Sequence, residues 1–212
     1  MKKKSTGLLF ITPFILFFML FWLIPFIYGI VMSLSKYSLI MGNQGFVGFS
    51  NYIKILVGDS MYHNSFLLGL KNTVIFTACT TPFLVLGSLG LALLLDRLPD
   101  KCKGIFRTIY FASYSVSVTA VAAVFVWLMK GNGGYLNNLM MNIGIIKKAV
   151  PWMEQQPFVW VSLTVATVWW TIGYNMMLFV NALNEIDPQL YEASAIDGAR
   201  YWKQFRYIIF PN

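Results

Sequence analysis

Four long runs of apolar residues, almost free of charged side chains, constrain the fold of this chain more than any other feature. They cover about residues 8–35, 71–95, 108–129 and 158–183. Each run exceeds the roughly 20 residues that an α-helix needs to cross ~30 Å of hydrocarbon. Because lipid offers the backbone no hydrogen-bond partners, a segment buried in it must be a helix or part of a closed barrel. Uncharged runs of this length favour helices.

Composition agrees with this interpretation. Of the 212 residues, 58% are hydrophobic and only 11% are charged, so a single soluble core could not cover the apolar surface. The sequence therefore predicts an all-α membrane protein in contact with lipid. We expect one transmembrane domain over residues 1–212, with four transmembrane helices followed by a charged terminal segment at 184–212.

Basic residues indicate the orientation of these helices. With the amino terminus inside, the cytoplasmic side would carry Lys2, Lys3, Lys4, Arg97, Lys101, Lys103, Arg107, Arg200, Lys203 and Arg206. The outer side would carry Lys36, Lys54, Lys71, Lys130, Lys147 and Lys148, spread over two longer loops. This bias predicts that both termini are cytoplasmic. The net charge of +8 is scattered over the ends of apolar runs, so no nucleic-acid partner is expected.

The sequence contains no recognisable catalytic, metal-binding or nucleotide-binding motif. The interiors of the four runs hold no Asp, Glu, Lys, Arg or His, which argues against an ion-coupled carrier, although neutral oxygens can also bind sodium. His63 is the single histidine, so no histidine-based metal site can be built. No phosphate-binding loop of the GxxxxGK[ST] kind occurs. We therefore predict no catalytic residue, no metal and no cofactor in this chain.

The terminal segment carries clear signals of two short helices. Asp187 is a good N-cap, and Pro188 fits the first helical position because no backbone donor is lost there. We expect this helix to end near Asp197, where Gly198 can adopt a left-handed conformation. A second helix should then run from Ala199 to about Phe210.

One face of the predicted second helix is apolar. Tyr201, Phe205, Ile208 and Ile209 recur at helical spacing. Periodicity alone leaves two possibilities open: a helix that lies on the membrane surface, or one that packs in a groove of a partner. A membrane scaffold without transport activity is the corresponding alternative function.

The spacing of the terminal segment resembles the EAA loop of permease subunits of binding-protein-dependent ABC importers. Glu192-Ala193-Ser194 is followed after three residues by Gly198 and after nine more by Ile208-Ile209-Phe210-Pro211. Ser194 replaces an alanine of the family pattern, and Phe210 replaces a leucine. The resemblance is closest to sugar and glycerol-phosphate importers, whose Phe-Val-Gly-x-x-Asn-Tyr stretch is similar to residues 46–52.

The resemblance implies that transport requires several separate subunits. A cytoplasmic ATPase dimer, which holds ATP and Mg, would contact the terminal segment, while a second permease subunit and an extracytoplasmic solute-binding protein complete the importer. The residues implied in ATPase coupling are Glu192, Ala193, Ser194, Asp197, Gly198, Ile208 and Pro211. Members of this family have about six spans, two of them after the loop, so a chain that ends at Asn212 is expected to be an incomplete permease of the cell membrane.

A row of polar side chains in the fourth run suggests a path for the solute. Thr164, Thr167, Thr171 and Asn175 fall on one face of the predicted helix. Hydroxyl and amide groups suit a neutral polyol. The same residues could instead form hydrogen bonds that hold helices together, and the sequence leaves both possibilities open.

Overall fold

The computed structural model describes residues 2–58 and 60–211, and their side chains apart from those of residues 2–6 and 8. The chain divides into two compact units, Met1–Lys71 and Asn72–Asn212. The boundary falls inside a continuous helix. The prediction of one domain over residues 1–212 therefore stays a prediction.

The first unit holds a long apolar helix and a small hairpin. Helix α1 (Lys2–Phe18) continues through a π-helical turn (Met19–Leu23) into α2 (Ile24–Ser33). Pro25 cannot donate to the carbonyl of Phe21, and the wider turn precedes it immediately. The π-helical turn therefore coincides with the position where Pro25 removes a backbone hydrogen bond.

Strands β1 (Ser35–Ser38) and β2 (Gly42–Phe46) form an antiparallel hairpin where the sequence suggested only a loop. Helix α3 (Ser50–Leu56) follows. The amide of Asn51 donates to the carbonyls of Ser33 and Ser35, at 2.8 and 3.0 Å. The Tyr52 hydroxyl lies 2.7 Å from that of Ser33. Asn51 and Tyr52 thus tie α3 to the end of α2.

The remaining helices are α4 (Met61–Asp96), α5 (Asp100–Ala112), α6 (Val118–Leu128), α7 (Tyr135–Asn142), α8 (Phe158–Glu185), α9 (Pro188–Ile196) and α10 (Tyr201–Gln204). Helix α4 starts ten residues before the predicted second span and runs continuously through Pro82. His63 therefore lies in its first turn, where Nδ1 is 2.9 Å from the Ile55 carbonyl. The predicted runs at 8–35 and 71–95 leave residue 63 in the connection between two helices.

Among the described residues, three helices are long and apolar enough to cross a membrane: Leu9–Ser33, Met61–Asp96 and Phe158–Glu185. A fourth span is possible if the bent pair Asp100–Ser115 and Val118–Leu128 counts as one. The predicted fold class, a helical membrane protein, is confirmed. The small hairpin is an addition that the sequence did not predict.

The third predicted span, 108–129, is not one straight helix, because α5 and α6 meet at an angle of 88°. Val116 and Ser117 have extended backbone conformations, with ψ of 137° and 141°. The Ser117 hydroxyl then accepts a hydrogen bond from the Ala120 amide at 3.3 Å and caps α6. A serine-rich stretch offers the backbone such local partners, which favours a break over a continuous helix.

Helix α8 packs against α4 and α5. Ala92 and Leu95 from α4 meet Met176 and Val180 from α8 in a fully apolar cluster. On the α5 side, a Cβ atom at Gly173 would overlap the Tyr110 carbonyl. Small residues at such crossings let helix backbones approach closely, so Gly173 fixes the crossing of α5 and α8.

The connection between α6 and α8 is organised around Asn137, whose side chain is fully buried. Its amide donates to the carbonyls of Gly131 and Val150, at 2.7 and 2.9 Å. Its oxygen accepts from the Val150 amide at 3.1 Å and from the Trp152 indole at 2.9 Å. Because every polar position of the amide is matched, its burial carries no desolvation penalty from unpaired atoms.

Candidate functional site

The first helix of the terminal segment begins where the sequence predicted. The Asp187 carboxylate accepts a hydrogen bond from the Gln189 amide at 2.9 Å, and Pro188 occupies the first helical position. This side chain satisfies one of the free amides at the start of α9. The cap at the start of α9 therefore uses only local partners.

Gly198 ends α9 with a φ of +70°. Its amide donates to the Ala195 carbonyl at 3.1 Å, and the next amide, of Ala199, donates to the Ser194 carbonyl at 2.9 Å. This pair of bonds is the Schellman arrangement, which satisfies carbonyls at the helix end. Nothing lies within 4 Å of a Cβ built at position 198, so glycine is needed here for its backbone conformation and not for space.

A side-chain hydrogen bond joins the two helices of the segment. The Ser194 hydroxyl accepts from Gln204 Nε2 at 2.9 Å and donates to the Tyr191 carbonyl at 2.8 Å. An alanine, the family residue at this position, could make neither bond. The substitution at Ser194 therefore adds a link across the glycine turn.

The second helix consists of α10 and a π-helical turn, Phe205–Ile209. Its apolar residues pack towards helices of the same chain. They border a groove of about 260 Å³ lined by Val85, Leu89, Phe179, Ala182, Leu183, Ile186, Phe205, Ile209 and Phe210. Phe205 and Ile209 are half-buried, so the chain itself shields part of the apolar stripe, which disfavours a helix held only by the membrane surface.

The candidate coupling residues divide between an exposed and a covered set. Glu192, Ala193, Asp197, Gly198 and Pro211 are exposed, while Ser194 and Ile208 are half-buried. Ile196 projects next to them with 87% of its surface exposed. The segment therefore presents the outer side of α9 and the glycine turn, and uses α10 and the π-helical turn for attachment.

A cation–π contact that the sequence analysis missed joins the segment to α4. The Arg97 guanidinium carbon lies 3.6 Å from the centre of the Tyr201 ring. Nearby on α9, burial together with the Asp96 carboxylate and Tyr201 raises the pKa of Tyr191. No local pattern signals such a contact, because its partners lie on helices that are distant in sequence.

The polar row on α8 is only partly brought together. Thr164 is buried, with its hydroxyl 3.3 Å from that of Thr80 on α4, so it contributes to helix packing. The Thr171 hydroxyl donates to the Thr167 carbonyl at 2.7 Å, and the Asn175 amide donates to the Thr171 carbonyl at 3.0 Å. The last three are half-buried.

Aromatic side chains adjoin this row. Tyr114, at the break between α5 and α6, stacks on Trp170 and Tyr174 of α8, with ring centres 5.7 and 4.8 Å apart. The Trp170 indole donates to the Val116 carbonyl at 3.0 Å. The Ser113 hydroxyl lies 3.0 Å from the Tyr110 carbonyl and 3.3 Å from the Trp170 carbonyl, and can donate to either. Sequence reasoning missed this cluster, although Gly173 between bulky residues was an available signal of a close helix crossing.

No group of three or more metal-ligating side chains occurs among residues 2–58 and 60–211. Within the same ranges both cysteines, Cys79 and Cys102, are free thiols. The described side chains of the candidate site thus interact through packing, hydrogen bonds and aromatic stacking.

Solved structures share this fold. The chain superposes on a bacterial ABC transporter involved in the import of the acidic polysaccharide alginate with a TM-score of 0.80 and 23% identity, covering 99% of this chain and 68% of the other. A second structure of an alginate ABC transporter, in complex with an alginate pentasaccharide-bound periplasmic protein, gives a TM-score of 0.77 at 23% identity and covers 99% and 67% of the two chains.

Curated relatives are similar along the whole chain. The probable ABC transporter permease protein YurN of Bacillus subtilis is 31% identical over 212 residues, which cover 100% of this chain and 70% of YurN. LacF, a lactose transport system permease protein of Rhizobium radiobacter, is 31% identical, with 97% of this chain and 66% of LacF covered. UgpA, an sn-glycerol-3-phosphate transport system permease protein of Agrobacterium fabrum, is 31% identical, with 99% and 68% covered.

The family profile of the binding-protein-dependent transport system inner membrane component matches residues 50–212. This match includes the bent third span, α8 and the terminal segment, and it confirms the resemblance found in the EAA-like spacing. The chain therefore belongs to the inner membrane components of binding-protein-dependent transport systems, and is a non-catalytic, multi-pass permease subunit of an ABC transporter.

Proposed function

We propose that this permease subunit carries a sugar or a related polar solute across the cell membrane, and that a separate ATPase drives the transport. A cytoplasmic ATPase dimer binds ATP and Mg and contacts the terminal segment 184–212. A second permease subunit and an extracytoplasmic solute-binding protein complete the importer. Both termini of the chain lie in the cytoplasm, on the side of the ATPase.

The terminal segment carries the proposal for energy coupling. Its outer side is exposed, its turn is fixed by Gly198, and half-buried apolar residues of its second helix border a groove shared with α4 and α8. A rigid, exposed helix seated on membrane-spanning helices can pass a displacement of a partner to those helices. Residues Glu192, Ala193, Ser194, Asp197, Gly198, Ile208 and Pro211 belong to this coupling element.

Two observations support a sugar or a related polar solute. The names of LacF and UgpA assign them to lactose and sn-glycerol-3-phosphate transport; both molecules are polar and carry hydroxyl groups, and the second is an anion. In this chain Thr167, Thr171 and Asn175 lie on one face of α8, next to the stacked rings of Tyr114 and Tyr174. Apolar rings with a few polar groups are typical of small-molecule sites. Thr164 belongs to the same proposed path, but its side chain is buried against Thr80.

The proposed coupling is tested by Gly198→Val in the assembled importer. Valine at positive φ costs about 1–2 kcal/mol or more, so the turn should open. We expect roughly tenfold less ATPase to co-purify with the permease and uptake in proteoliposomes to fall with it. Gly198→Asn should retain much of both, because asparagine tolerates this conformation.

Gly104→Val is the matched control. Gly104 is exposed in α5, and a Cβ at that position meets nothing within 4 Å. Unchanged ATPase binding and uptake in Gly198→Val would refute the coupling role. Uptake that persists without ATP and stops when an ion gradient is dissipated would instead indicate an ion-coupled carrier, and no uptake with any ATPase would indicate a scaffold.

A further inference from the structure

The end of α4 contacts the terminal segment at a site that its EAA-like motif does not include. Helix α4 ends at Asp96, and Arg97 follows directly. The guanidinium of Arg97 covers the ring of Tyr201 at 3.6 Å, well within the ~6 Å over which a cation attracts an aromatic face. Tyr201 is the first residue of α10, so this contact holds the second helix at its start.

The first helix of the segment faces the same end of α4. Tyr191 lies on α9 and is half-buried. Its pKa is raised by burial and by the charges of the Asp96 carboxylate and the Tyr201 hydroxyl. The charge at the end of α4 therefore acts on α9, while Arg97 contacts α10.

Charged groups of α5 adjoin the end of α4 as well. Asp96, Lys103 and Arg107 line one small cavity between α4, α5 and α8. Through this arrangement the α4 end lies between the terminal segment and α5. Displacement of the segment would consequently reach α4 and α5 as well as α8, to which the segment is covalently joined.

The Arg97 contact differs in kind from the other attachment of the segment. The groove around Phe205 and Ile209 is apolar, and apolar burial has no directional preference. A guanidinium over a ring face constrains both distance and orientation. The cation–π pair is thus suited to set the angle at which the segment is held.

We infer that Arg97 is a positioning residue for energy coupling, which seats Tyr201 so that α9 and the glycine turn are presented at a fixed angle to the ATPase. This inference rests on the proposed function of the terminal segment. Through this contact α4 also takes part in the coupling, in addition to α8, which is covalently joined to the segment.

The test uses the assembled importer in proteoliposomes and measures ATP hydrolysed per solute transported. Arg97→Gln and Tyr201→Leu should each raise this ratio roughly two- to fivefold, the range for an exposed cation–π pair. Arg97→Lys and Tyr201→Phe should stay near the original ratio, because they retain a cation and a ring. The double variant Arg97→Gln/Tyr201→Leu should be no worse than either single variant.

Lys101→Gln is the matched control, since it removes one exposed positive charge from the same region and should leave the ratio unchanged. A merely structural loss would reduce the amount of active importer while the ratio stays constant, and that result would overturn the inference. Additive effects in the double variant, or an effect of Tyr201→Phe equal to that of Tyr201→Leu, would overturn it too.

Failure of this inference and failure of the proposed function give different results. If Gly198→Val leaves ATPase binding intact, the coupling role of the whole segment is wrong. If Gly198→Val abolishes coupling while Arg97→Gln has no effect, only the role of Arg97 is wrong.

Discussion

The terminal segment 184–212 and the polar face of α8 differ in how far their structure depends on the rest of the chain. In the segment, Asp187 caps a helix and Gly198 ends it through bonds to residues a few positions away. On α8, the rings of Trp170 and Tyr174 gain their stacking partner from a distant helix break at Tyr114. The first region can be interpreted from local rules, whereas the second exists only once α5 and α8 are packed.

The largest expected effect concerns the region that depends on packing. Gly173→Leu would drive a side chain into the Tyr110 carbonyl, and a clash with backbone costs about 3 kcal/mol or more. We expect loss of monodisperse protein in size-exclusion chromatography of the detergent-solubilised importer. Gly90→Leu is the control, because a Cβ at position 90 of α4 meets nothing within 4 Å. Normal folding of Gly173→Leu would show that the α5–α8 crossing is not fixed by this glycine.

A smaller effect is expected at the aromatic cluster. In the proposed path the solute lies against the Tyr174 ring, a contact of about 0.5–1.5 kcal/mol, so Tyr174→Leu should raise the KM for uptake roughly two- to tenfold. Tyr174→Phe keeps the ring and should retain most of the affinity. Phe83→Leu, at an exposed position of α4, controls for loss of an aromatic residue elsewhere. Equal KM values for Tyr174→Leu and the original protein would remove this cluster from the solute path.

The smallest effect is expected in the terminal segment, at Ser194→Ala. This change restores the alanine of the family pattern and removes the bond from Gln204, which is worth about 0.5–1.5 kcal/mol at most. Because Gly198 still ends α9, uptake should fall less than twofold, while thermal stability of the complex drops by a few degrees. Gln204→Leu should give the same shift. A severe loss of uptake would mean that the segment depends on this tertiary link more than its local signals suggest.

Much of the fold follows from the sequence for a physical reason. Long uncharged runs have few options in lipid, so the spans at Leu9–Ser33 and Phe158–Glu185 agree closely with prediction. The turn at Gly198 was predictable because the left-handed backbone conformation that ends a helix strains other residues, whereas glycine adopts it readily. The 88° break near Val116 was not foreseen, since hydrophobicity is the same on both sides of it.

The residues of the candidate site also differ in how far the sequence alone predicts them. Spacing identified the terminal segment, and the family match at residues 50–212 includes it. The contact of Arg97 with Tyr201 and the burial of Thr164 against Thr80 depend on which helices become neighbours. That choice is made by packing surfaces that no short window of sequence contains.

The break between α5 and α6 has a consequence for exchanging parts between related permeases. An interrupted helix exposes backbone carbonyls that lipid cannot satisfy. Here the Trp170 indole donates a hydrogen bond to the Val116 carbonyl. Residue 170 of α8 therefore satisfies a carbonyl at the break, so a chimaera that swaps the bent span without residue 170 would leave that carbonyl unmatched. The bent span and α8 should therefore be exchanged together, although they are far apart along the chain.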